Sequence, residues 1–282
     1  MTSEKKLRLI SYLSPHSMPI EYFQCIQEYL EEKLAMESYL IYESRWEGPP
    51  MNRLDPFTLD EADIGFISST SFLRLFDSGN KYLELIPVAP IHEHPMTQGR
   101  PVYFTDVIIH ASNSSRIDDF DSLKGHKWAY SNDESVSAHD TTLEFLKKLG
   151  TNATYFGNVL KSGSHLKSIR MVLDGSADAA PISSTYLCHY RKTRPEIKDK
   201  IKTLTSWGPL PNHPMVFNSR LPSEYKEKIC ELLMNMPTDQ KWRDKLALFS
   251  VQGFVASDLS LYQREVNLRT KTKNLGMTAV YY

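Results

Sequence analysis

The sequence predicts an α/β protein made of two lobes. Short β-like runs alternate with amphipathic helical patterns along the whole chain, which is typical of sheets with helices packed on them. The chain has 282 residues, which fits two lobes of roughly 100 to 150 residues each. Two hydrophobic cores are therefore expected.

Each element has a local signal. Runs rich in β-branched and aromatic residues bounded by turn residues predict the strands, at residues 7–13, 38–43, 62–67, 102–111, 128–131, 177–182 and 215–218. Ser17 and Pro19 precede apolar residues that recur every three or four positions as far as Leu34, so a helix is expected there. Similar patterns follow residues 71, 139 and 165, and two more cover residues 229–236 and 242–249.

Charge and cysteine content exclude two classes of protein. The chain carries 33 basic and 34 acidic residues, a net charge of −1, so no field exists to hold a polyanion and no nucleic-acid partner is expected. Cys25, Cys188 and Cys230 lie far apart, without the Cys and His spacing of a zinc finger.

The first residues do not look like a signal peptide. Ser11, Ser14 and Pro15 interrupt the apolar stretch that a leader needs. No run approaches the roughly 20 apolar residues of a membrane span, so no membrane insertion is expected. We therefore expect a cytoplasmic protein, or a periplasmic or other extracytoplasmic one if a leader has been removed.

Common catalytic and cofactor motifs are absent. The chain contains no GxSxG, GxxxxGK[ST], GxGxxG or HExxH, and we expect no cofactor and no metal. His92 and His94 resemble a metal pair, but Pro95 follows them and no third ligand is evident, so a solvated loop is the favoured interpretation. Trp128 and Trp207 are predicted to be core residues rather than walls of a ligand site.

Four polar helix starts carry the strongest functional signal. Short stretches rich in Ser, Thr or His follow β-like runs at residues 14–17, 68–71, 135–139 and 163–165. In an open α/β sheet, such loops lie at the carboxyl ends of strands, where ligands bind. Backbone N–H groups and hydroxyls at helix starts bind anions, so the shared target is a small oxyanion.

Helix capping is the alternative interpretation of each stretch. A Ser or Thr before a helix stabilises it by about 1 kcal/mol with no ligand present. One cap needs one hydroxyl, whereas residues 68–70 carry three hydroxyls and residues 135–137 carry two. In addition, His139 and His165 lie in the first turns of predicted helices. The number of clusters and these extra donors favour a ligand site.

Five stretches of the sequence resemble one family, the PhnD-like phosphate and phosphonate-binding proteins, and they occur along the chain in the same order as in that family. They cover about residues 5 to 255 and are EADIGFISSTS at 61–71, QGRPVYFTDV at 98–107, SLKG at 122–125 with WAY at 128–130, GSH at 163–165 with SIRM at 168–171, and ADA at 177–179.

This resemblance implies a type II periplasmic-binding-protein-like fold. Each lobe is then a mixed sheet flanked by helices, and two crossing strands join the lobes around a cleft that closes on ligand. Lobe 1 is expected at residues 1–104 and 212–282, and lobe 2 at residues 105–211.

The resemblance also implies a binding site. Ser135, Ser137 and His165 would hold the phosphonate oxygens, Ser69 and Thr70 would face them, and two tyrosines would form walls. With the remaining helix-start residues, the candidate ligand-binding residues are Tyr12, Ser69, Thr70, Tyr103, Ser135, Ser137, His139, Ser164, His165, Thr185 and His213.

Three positions depart from the family pattern. Thr185 and His213 stand where aminophosphonate binders carry acids, and a buried ammonium needs a compensating carboxylate, so an amine-bearing ligand is disfavoured. Ala138 stands where the family usually has glycine, which predicts crowding of the anion.

The expected function is non-catalytic binding of phosphate, a phosphonate or a similar oxyanion-bearing metabolite. An ABC transporter permease is expected as a partner only if a leader has been removed. One alternative is an enzyme on the same fold, similar to the pyrimidine-precursor synthases of thiamine biosynthesis, using His139, His165 and His213. Another is the sensing domain of a transcriptional regulator, although neither terminus has room for a helix-turn-helix module.

Overall fold

The computed structural model describes residues 6–14 and 17–277. The strands of this part of the chain are β1 (Leu7–Ser11), β2 (Ser38–Tyr42), β3 (Ile64–Phe66), β4 (Leu83–Leu85), β5 (Val88–His92), β6 (Val102–His110), β7 (Lys127–Tyr130), β8 (Asn158–Lys161), β9 (Ala179–Ser183), β10 (Ile201–Pro211), β11 (Met215–Asn218) and β12 (Val251–Ala256). Its α-helices are α1 (Ile20–Leu34), α2 (Ser69–Asp77), α3 (Thr141–Lys148), α4 (His165–Leu173), α5 (Ser184–Thr193), α6 (Ser223–Asn235), α7 (Gln240–Leu248) and α8 (Gln263–Thr272).

The chain divides into two compact units. Unit 1 contains the described residues up to Val102 together with Pro211–Leu261. Unit 2 contains Tyr103–Leu210 together with the described residues from Tyr262 onward. The chain leaves unit 1 at the start of β6 and returns at the end of β10, which agrees with the two connecting strands expected from the sequence.

Unit 1 contains a mixed five-stranded sheet in the order β2-β1-β3-β11-β4, and a separate β12-β5 pair. Strand β1 runs parallel to β2 and β3, whereas β11 runs antiparallel to β3 and β4. Because β1 and β3 are parallel, the polar segments that follow them lie at the same edge. The Tyr12 backbone N–H donates to the Phe66 carbonyl at 2.9 Å across this edge.

Helices α1 and α7 build the core of unit 1 against this sheet. The rings of Phe23 on α1 and Phe66 on β3 lie 4.9 Å apart, and both are buried. Tyr29 on α1 meets Trp242 on α7 edge-on at 5.2 Å. Aromatic pairs at these distances add to the free energy gained from burial.

Unit 2 contains a mixed sheet in the order β10-β6-β9-β7-β8. Strand β7 runs parallel to β8 and β9, and β6 runs antiparallel to β9. Trp128 on β7 stacks on Phe156 at 4.5 Å, and Trp207 on β10 stacks on Phe145 at 4.3 Å. The prediction that both tryptophans are core residues is confirmed.

Helix α1 begins differently from the prediction. Its N-cap is Pro19, with no side-chain hydrogen bond, so Ser17 does not cap it. Pro19 has the extended backbone that precedes a helix, and its ring fixes φ at that position. Within residues 6–14 and 17–277, each helix is too short or too polar to cross a bilayer.

The C-terminal segment packs in unit 2, whereas the sequence analysis places it in lobe 1. Helix α8 buries Leu268 in a cluster with Tyr103, Val136 and Leu210. At the start of α8, Arg264 Nη1 donates to the Glu144 carboxylate at 2.9 Å. Tyr262 and Met277 of the same segment are also buried, and Met277 lies in the core cluster around Trp128. These few apolar residues are widely spaced in a polar sequence, so a pattern search cannot assign them to a partner.

We expect Leu268→Ala to destabilise unit 2 by about 2 to 4 kcal/mol, because it removes a fully buried side chain and leaves a cavity. Urea unfolding followed by circular dichroism measures the loss. Val266→Ala is the control, since Val266 lies on the same helix with an exposed side chain. Equal, small losses in both variants would contradict the packing of α8.

Candidate functional site

A π-helical turn, Val136–Asp140, holds one candidate cluster in unit 2 and leads directly into α3. The carbonyls of this turn accept hydrogen bonds from threonine hydroxyls, each at 2.9 Å. The pairs are Thr105 with Ser137, Thr141 with Val136, and Thr142 with Ala138. These bonds stabilise a helix type that is rare and often found at functional sites.

Ser137 lies at the centre of this cluster. Its hydroxyl oxygen is 3.4 Å from the Ser135 hydroxyl and 3.4 Å from His165 Nε2. Ser135 caps the turn by accepting the Ala138 N–H at 3.1 Å. An oxygen that accepts this bond still carries its own O–H hydrogen, so Ser135 can donate to a ligand while it caps.

Helix α4 contributes its first turn to the same cluster. Ser164 is its N-cap and accepts the Lys167 N–H at 3.2 Å. His165 is the first helical residue, and the preceding Gly163 donates its N–H to the Ser131 carbonyl at 2.7 Å. This bond fixes the start of α4 to the end of β7.

Three other candidates in unit 2 bond elsewhere. His139 Nδ1 is 2.8 Å from a carboxylate oxygen of Asp140. The Thr185 hydroxyl lies 2.8 Å from the Ser183 hydroxyl, and both side chains are buried. Tyr103 packs in the apolar cluster around Leu268. The bonds that join Ser135, Ser137 and His165 do not include these three.

The sequence analysis missed Ser131. This residue directly follows β7, and its hydroxyl is buried with no hydrogen-bond partner among the residues that the structure describes. A buried hydroxyl left unsatisfied costs about 1 to 3 kcal/mol, so such an atom is worth explaining. Its position at the carboxyl end of a predicted strand is the signal that would have identified it.

Unit 1 has a second polar helix start, at α2. Ser68 is the N-cap and accepts the Ser71 N–H at 3.2 Å. The Ser69 hydroxyl is fully buried and has no hydrogen-bond partner among the described residues. Thr70 follows on the same turn and is half-buried. In the cluster at residues 14–17, Pro15 and His16 lie outside the described residues.

His213 lies against the α2 start. The Ser69 backbone N–H is 3.3 Å from His213 Nδ1. Because a backbone N–H only donates, Nδ1 is the acceptor and the neutral imidazole carries its hydrogen on Nε2. Burial lowers the pKa of His213 to about 4. Asn212 positions this histidine through a side-chain hydrogen bond to the Pro90 carbonyl.

His92 is buried, so the prediction of a solvated loop is wrong for this residue. It is the last residue of β5, lies opposite Val251 of β12, and is 6% exposed. Burial, with a smaller contribution from His213, lowers the pKa of His92 to about 3. The described residues contain no group of three His, Cys, Asp or Glu side chains placed to hold a metal ion.

Tyr12 is buried just beyond β1. Burial raises the pKa of its phenol to about 12, and the positive charge of Arg53 opposes this rise. The negative charges of Glu43, Asp55 and Glu61 add to the rise, so acidic and basic side chains both lie near this edge of the sheet.

Ala138 is accommodated without strain. It is fully buried, and its N–H is one of the donors that Ser135 caps. Its backbone is not in the left-handed region that favours glycine. The methyl group lies inside the core around α3, which accounts for a side chain at a position where the family usually has glycine.

Two units with mixed sheets flanked by helices define the class of type II periplasmic binding proteins, and solved structures share this fold. A binding protein component of an ABC phosphonate transporter from Pseudomonas aeruginosa aligns with a TM-score of 0.75 at 15% identity, over 96% of this chain and 87% of that chain. PhnD1 from Prochlorococcus marinus, in complex with methylphosphonate, aligns with a TM-score of 0.74 at 13% identity, over 97% of this chain and 100% of that chain. The periplasmic aliphatic sulphonate binding protein SsuA from Escherichia coli aligns with a TM-score of 0.61 at 13% identity, over 97% of this chain and 89% of that chain.

A family model described as the periplasmic phosphonate substrate-binding protein of ABC transporters matches residues 10–262, and the chain belongs to this family. The resemblance seen in the sequence is thereby confirmed. Members of the family are substrate-binding components, which agrees with the expected binding role and not with an enzyme. The family is described as periplasmic, so the expectation of a cytoplasmic protein is not supported.

Acid should weaken the folded state through His92. Above a pH of about 6.5 this histidine is mostly neutral in both the folded and the unfolded chain, so it does not make the free energy of unfolding depend on pH. Below that pH the unfolded chain binds a proton that the folded chain excludes until about pH 3, so stability falls as pH falls. Between pH 7 and pH 5 the expected loss is about 2 kcal/mol from this residue.

His92→Gln should remove this part of the loss, since glutamine does not titrate. Urea unfolding at pH 7 and pH 5 measures it, and carboxylates common to both proteins cancel in the difference. The same acid loss in the variant and the parent would show that His92 is not held neutral.

Proposed function

We propose that the chain binds a phosphonate, or a closely related phosphate-like oxyanion, outside the cytoplasm and supplies it to an ABC transporter. The observation that carries the proposal is the position of the Ser137 hydroxyl, 3.4 Å from both the Ser135 hydroxyl and His165 Nε2. Three separate donor groups in unit 2 thus lie close enough to serve the oxygens of one tetrahedral anion.

Backbone donors support the same ligand. The first-turn N–H groups of α4 have no partners within the helix, and Ser164 caps only that of Lys167. The remaining N–H groups and the positive end of the helix dipole favour a negatively charged group beside His165.

The nearby negative charges are already engaged. The Asp133 carboxylate pairs with Lys161 Nζ at 2.5 Å and accepts the Tyr130 hydroxyl at 2.7 Å. Asp140 is occupied by His139. Neither carboxylate bonds to Ser137 or Ser135, so hydroxyl, imidazole and backbone donors define the cluster. Such a donor set binds an anion in preference to a cation.

Unit 1 has candidate ligand-binding residues of its own. Ser69 and Thr70 offer hydroxyls at the start of α2, and the buried Ser69 hydroxyl would gain a partner from a ligand oxygen. Tyr12 remains a proposed wall. His213 is neutral near pH 7 and so offers no charge to a ligand ammonium.

Similar proteins suggest which ligands to test. The structure of PhnD1 contains methylphosphonate, and SsuA is described as an aliphatic sulphonate binding protein. A neutral His213 and the hydroxyl of Thr185 give no carboxylate for an amine, so 2-aminoethylphosphonate should bind more weakly than ethylphosphonate.

Isothermal titration calorimetry with methylphosphonate, phosphate, methanesulphonate and 2-aminoethylphosphonate tests the proposal. We expect at least one phosphonate to bind with a dissociation constant in or below the micromolar range, where binding free energies are about −8 kcal/mol or stronger. If none of these anions binds more tightly than about 1 mM, the proposed function is wrong.

Ser137→Ala and His165→Ala should each weaken phosphonate binding by about tenfold or more, because each removes a donor to a charged oxygen. Calorimetry gives the ratio, and circular dichroism checks that the variants are folded. Ser176→Ala, at an exposed serine of unit 2, is the matched control and should bind like the parent. Unchanged affinity in both site variants would place the anion elsewhere.

A further inference from the structure

Strand β4 forms one edge of the five-stranded sheet of unit 1. It lies at the end of the order β2-β1-β3-β11-β4 and pairs with β11 alone among the described strands. The register places Leu85 opposite Val216 and Leu83 opposite Asn218. An unpaired strand edge is a template on which a further strand can pair.

The backbone of Leu85 faces the open side of β4. The Ile86 N–H donates to the Met215 carbonyl at 3.0 Å, and the Ser219 N–H donates to the Tyr82 carbonyl at 2.9 Å. Because these bonds alternate along an antiparallel pair, the even-numbered residues of this segment point their backbone groups toward β11, and Leu85 points its own away. The Leu85 N–H and C=O have no hydrogen-bond partner among residues 6–14 and 17–277. A donor and an acceptor are thus presented together, as a neighbouring strand requires.

A cavity of about 660 Å³ lies beside this edge, and all the residues that line it belong to unit 1. Residues 83–85 line it from β4, and residues 257–260 line it from the segment that follows β12. The Ser257 N–H still donates to the Pro87 carbonyl at 3.0 Å, as a continuation of the β12-β5 pair. The chain then turns into a 3-10 helix at Leu259–Tyr262 instead of continuing along β4. The cavity therefore lies where this segment diverges from the open edge.

Apolar side chains make up much of the cavity lining. They belong to Phe76, Leu83, Leu85, Pro87 and Leu259. Phe76 and Leu259 are 47% and 45% exposed, although both are large apolar residues. Exposed apolar side chains that gather on one concave surface indicate a binding site, and the volume is within the range of about 300 to 1,000 Å³ for such sites.

The two charged residues on the cavity are both acidic. The Glu84 carboxylate pairs with Lys226 Nζ at 2.5 Å, so its charge is compensated. The Asp258 carboxylate accepts the Ser260 N–H at 2.8 Å and also the Ser260 hydroxyl, and these bonds lower the pKa of Asp258. In the part of the chain that the structure describes, no Lys, Arg or His pairs with Asp258. Its negative charge is thus available to a cation of a bound partner.

We infer that the β4 edge and its cavity bind an extended peptide segment of a partner protein, in which apolar residues alternate with lysine or arginine. The peptide pairs with the Leu85 N–H and C=O as an added strand. Its apolar side chains enter the cavity, and a basic side chain reaches Asp258. This peptide site shares no residue with the candidate anion site and does not depend on the proposed function.

Three synthetic peptides test the inference by fluorescence anisotropy. The first is acetyl-Val-Lys-Val-Lys-Val-Lys-amide, the second has glutamate in place of each lysine, and the third is the first with every backbone nitrogen methylated. We expect the first to bind with a dissociation constant below about 1 mM. The second should bind at least about fivefold more weakly because it meets Asp258 with like charge. The third should bind about tenfold more weakly or worse, because it cannot donate to a strand edge.

Hydrogen exchange measured by mass spectrometry locates the bound peptide. The lysine peptide should slow exchange in β4, because the Leu85 N–H gains an acceptor. Strand β2 is the other edge of the same sheet and serves as the matched control, so its exchange should stay unchanged. Protection of β2 without protection of β4 would contradict the inferred position.

Two substitutions of Leu85 separate its N–H from its side chain. Leu85→Pro should weaken binding of the lysine peptide by about tenfold, because proline has no N–H to donate. Pairing with β11 should survive, since proline is tolerated where the strand N–H points outward. Leu85→Val keeps both the N–H and an apolar side chain and should bind like the parent. Circular dichroism checks that both variants are folded.

Asp258→Asn tests the charge preference. It should reduce the preference for the lysine peptide over the glutamate peptide by about threefold, as expected for one exposed charge. Asp199→Asn, at an exposed aspartate of unit 2, is the control and should keep the preference.

Three results would overturn the peptide site. The first is binding of the lysine peptide no tighter than about 1 mM. The second is equal affinity of the methylated and unmethylated peptides, which excludes strand pairing. The third is equal affinity of folded Leu85→Pro and Leu85→Val for the lysine peptide, which excludes the Leu85 N–H as a donor.

Discussion

The N–H groups in the first turn of a helix have no hydrogen-bond partner inside that helix and need acceptors from elsewhere. At three helix starts of this chain, a serine side chain is such an acceptor. Ser68, Ser135 and Ser164 each accept one backbone N–H. Capping uses one hydroxyl at each helix start. The neighbouring hydroxyls, such as those of Ser69 and Ser137, are therefore not needed as caps. The candidate site therefore depends on caps that make both the helices and their surroundings rigid.

Burial keeps the two histidines near the candidate site in unit 1 uncharged. His213 accepts the Ser69 N–H, and desolvation favours the uncharged imidazole in both His213 and His92. Charge at this edge comes instead from Arg53 and from Glu43, Asp55 and Glu61, all of which act on the Tyr12 phenol. Neutral groups thus lie at the helix start, and charged side chains of both signs lie at its margin.

Local patterns were enough to predict seven of the strands, the polar starts of α2, α3 and α4 and the two core tryptophans, because strand alternation and capping depend on neighbouring residues. The short strands β4, β5, β8 and β12 and helix α5 were not predicted. The contact between Ser137 and His165 joins residues 28 positions apart, so only the family resemblance indicated it in advance. The π-helical turn was not predicted, and one of the three hydroxyls that bond to it, that of Thr105, comes from the distant strand β6. The burial of His92 has no local signal either. The packing of α8 was missed for the same reason, because its polar sequence contains one buried anchor, Leu268.

The exposure of Trp46 has a spectroscopic consequence. Its side chain is 39% exposed, whereas Trp128, Trp207 and Trp242 are buried at 0%, 8% and 1%. An aqueous quencher such as iodide reaches an exposed indole much more readily than a buried one. The red-shifted, quenchable part of the intrinsic fluorescence therefore belongs to Trp46, whose ring lies against Arg45 and Arg53. The chain thus carries its own optical reporter in the segment between β2 and β3.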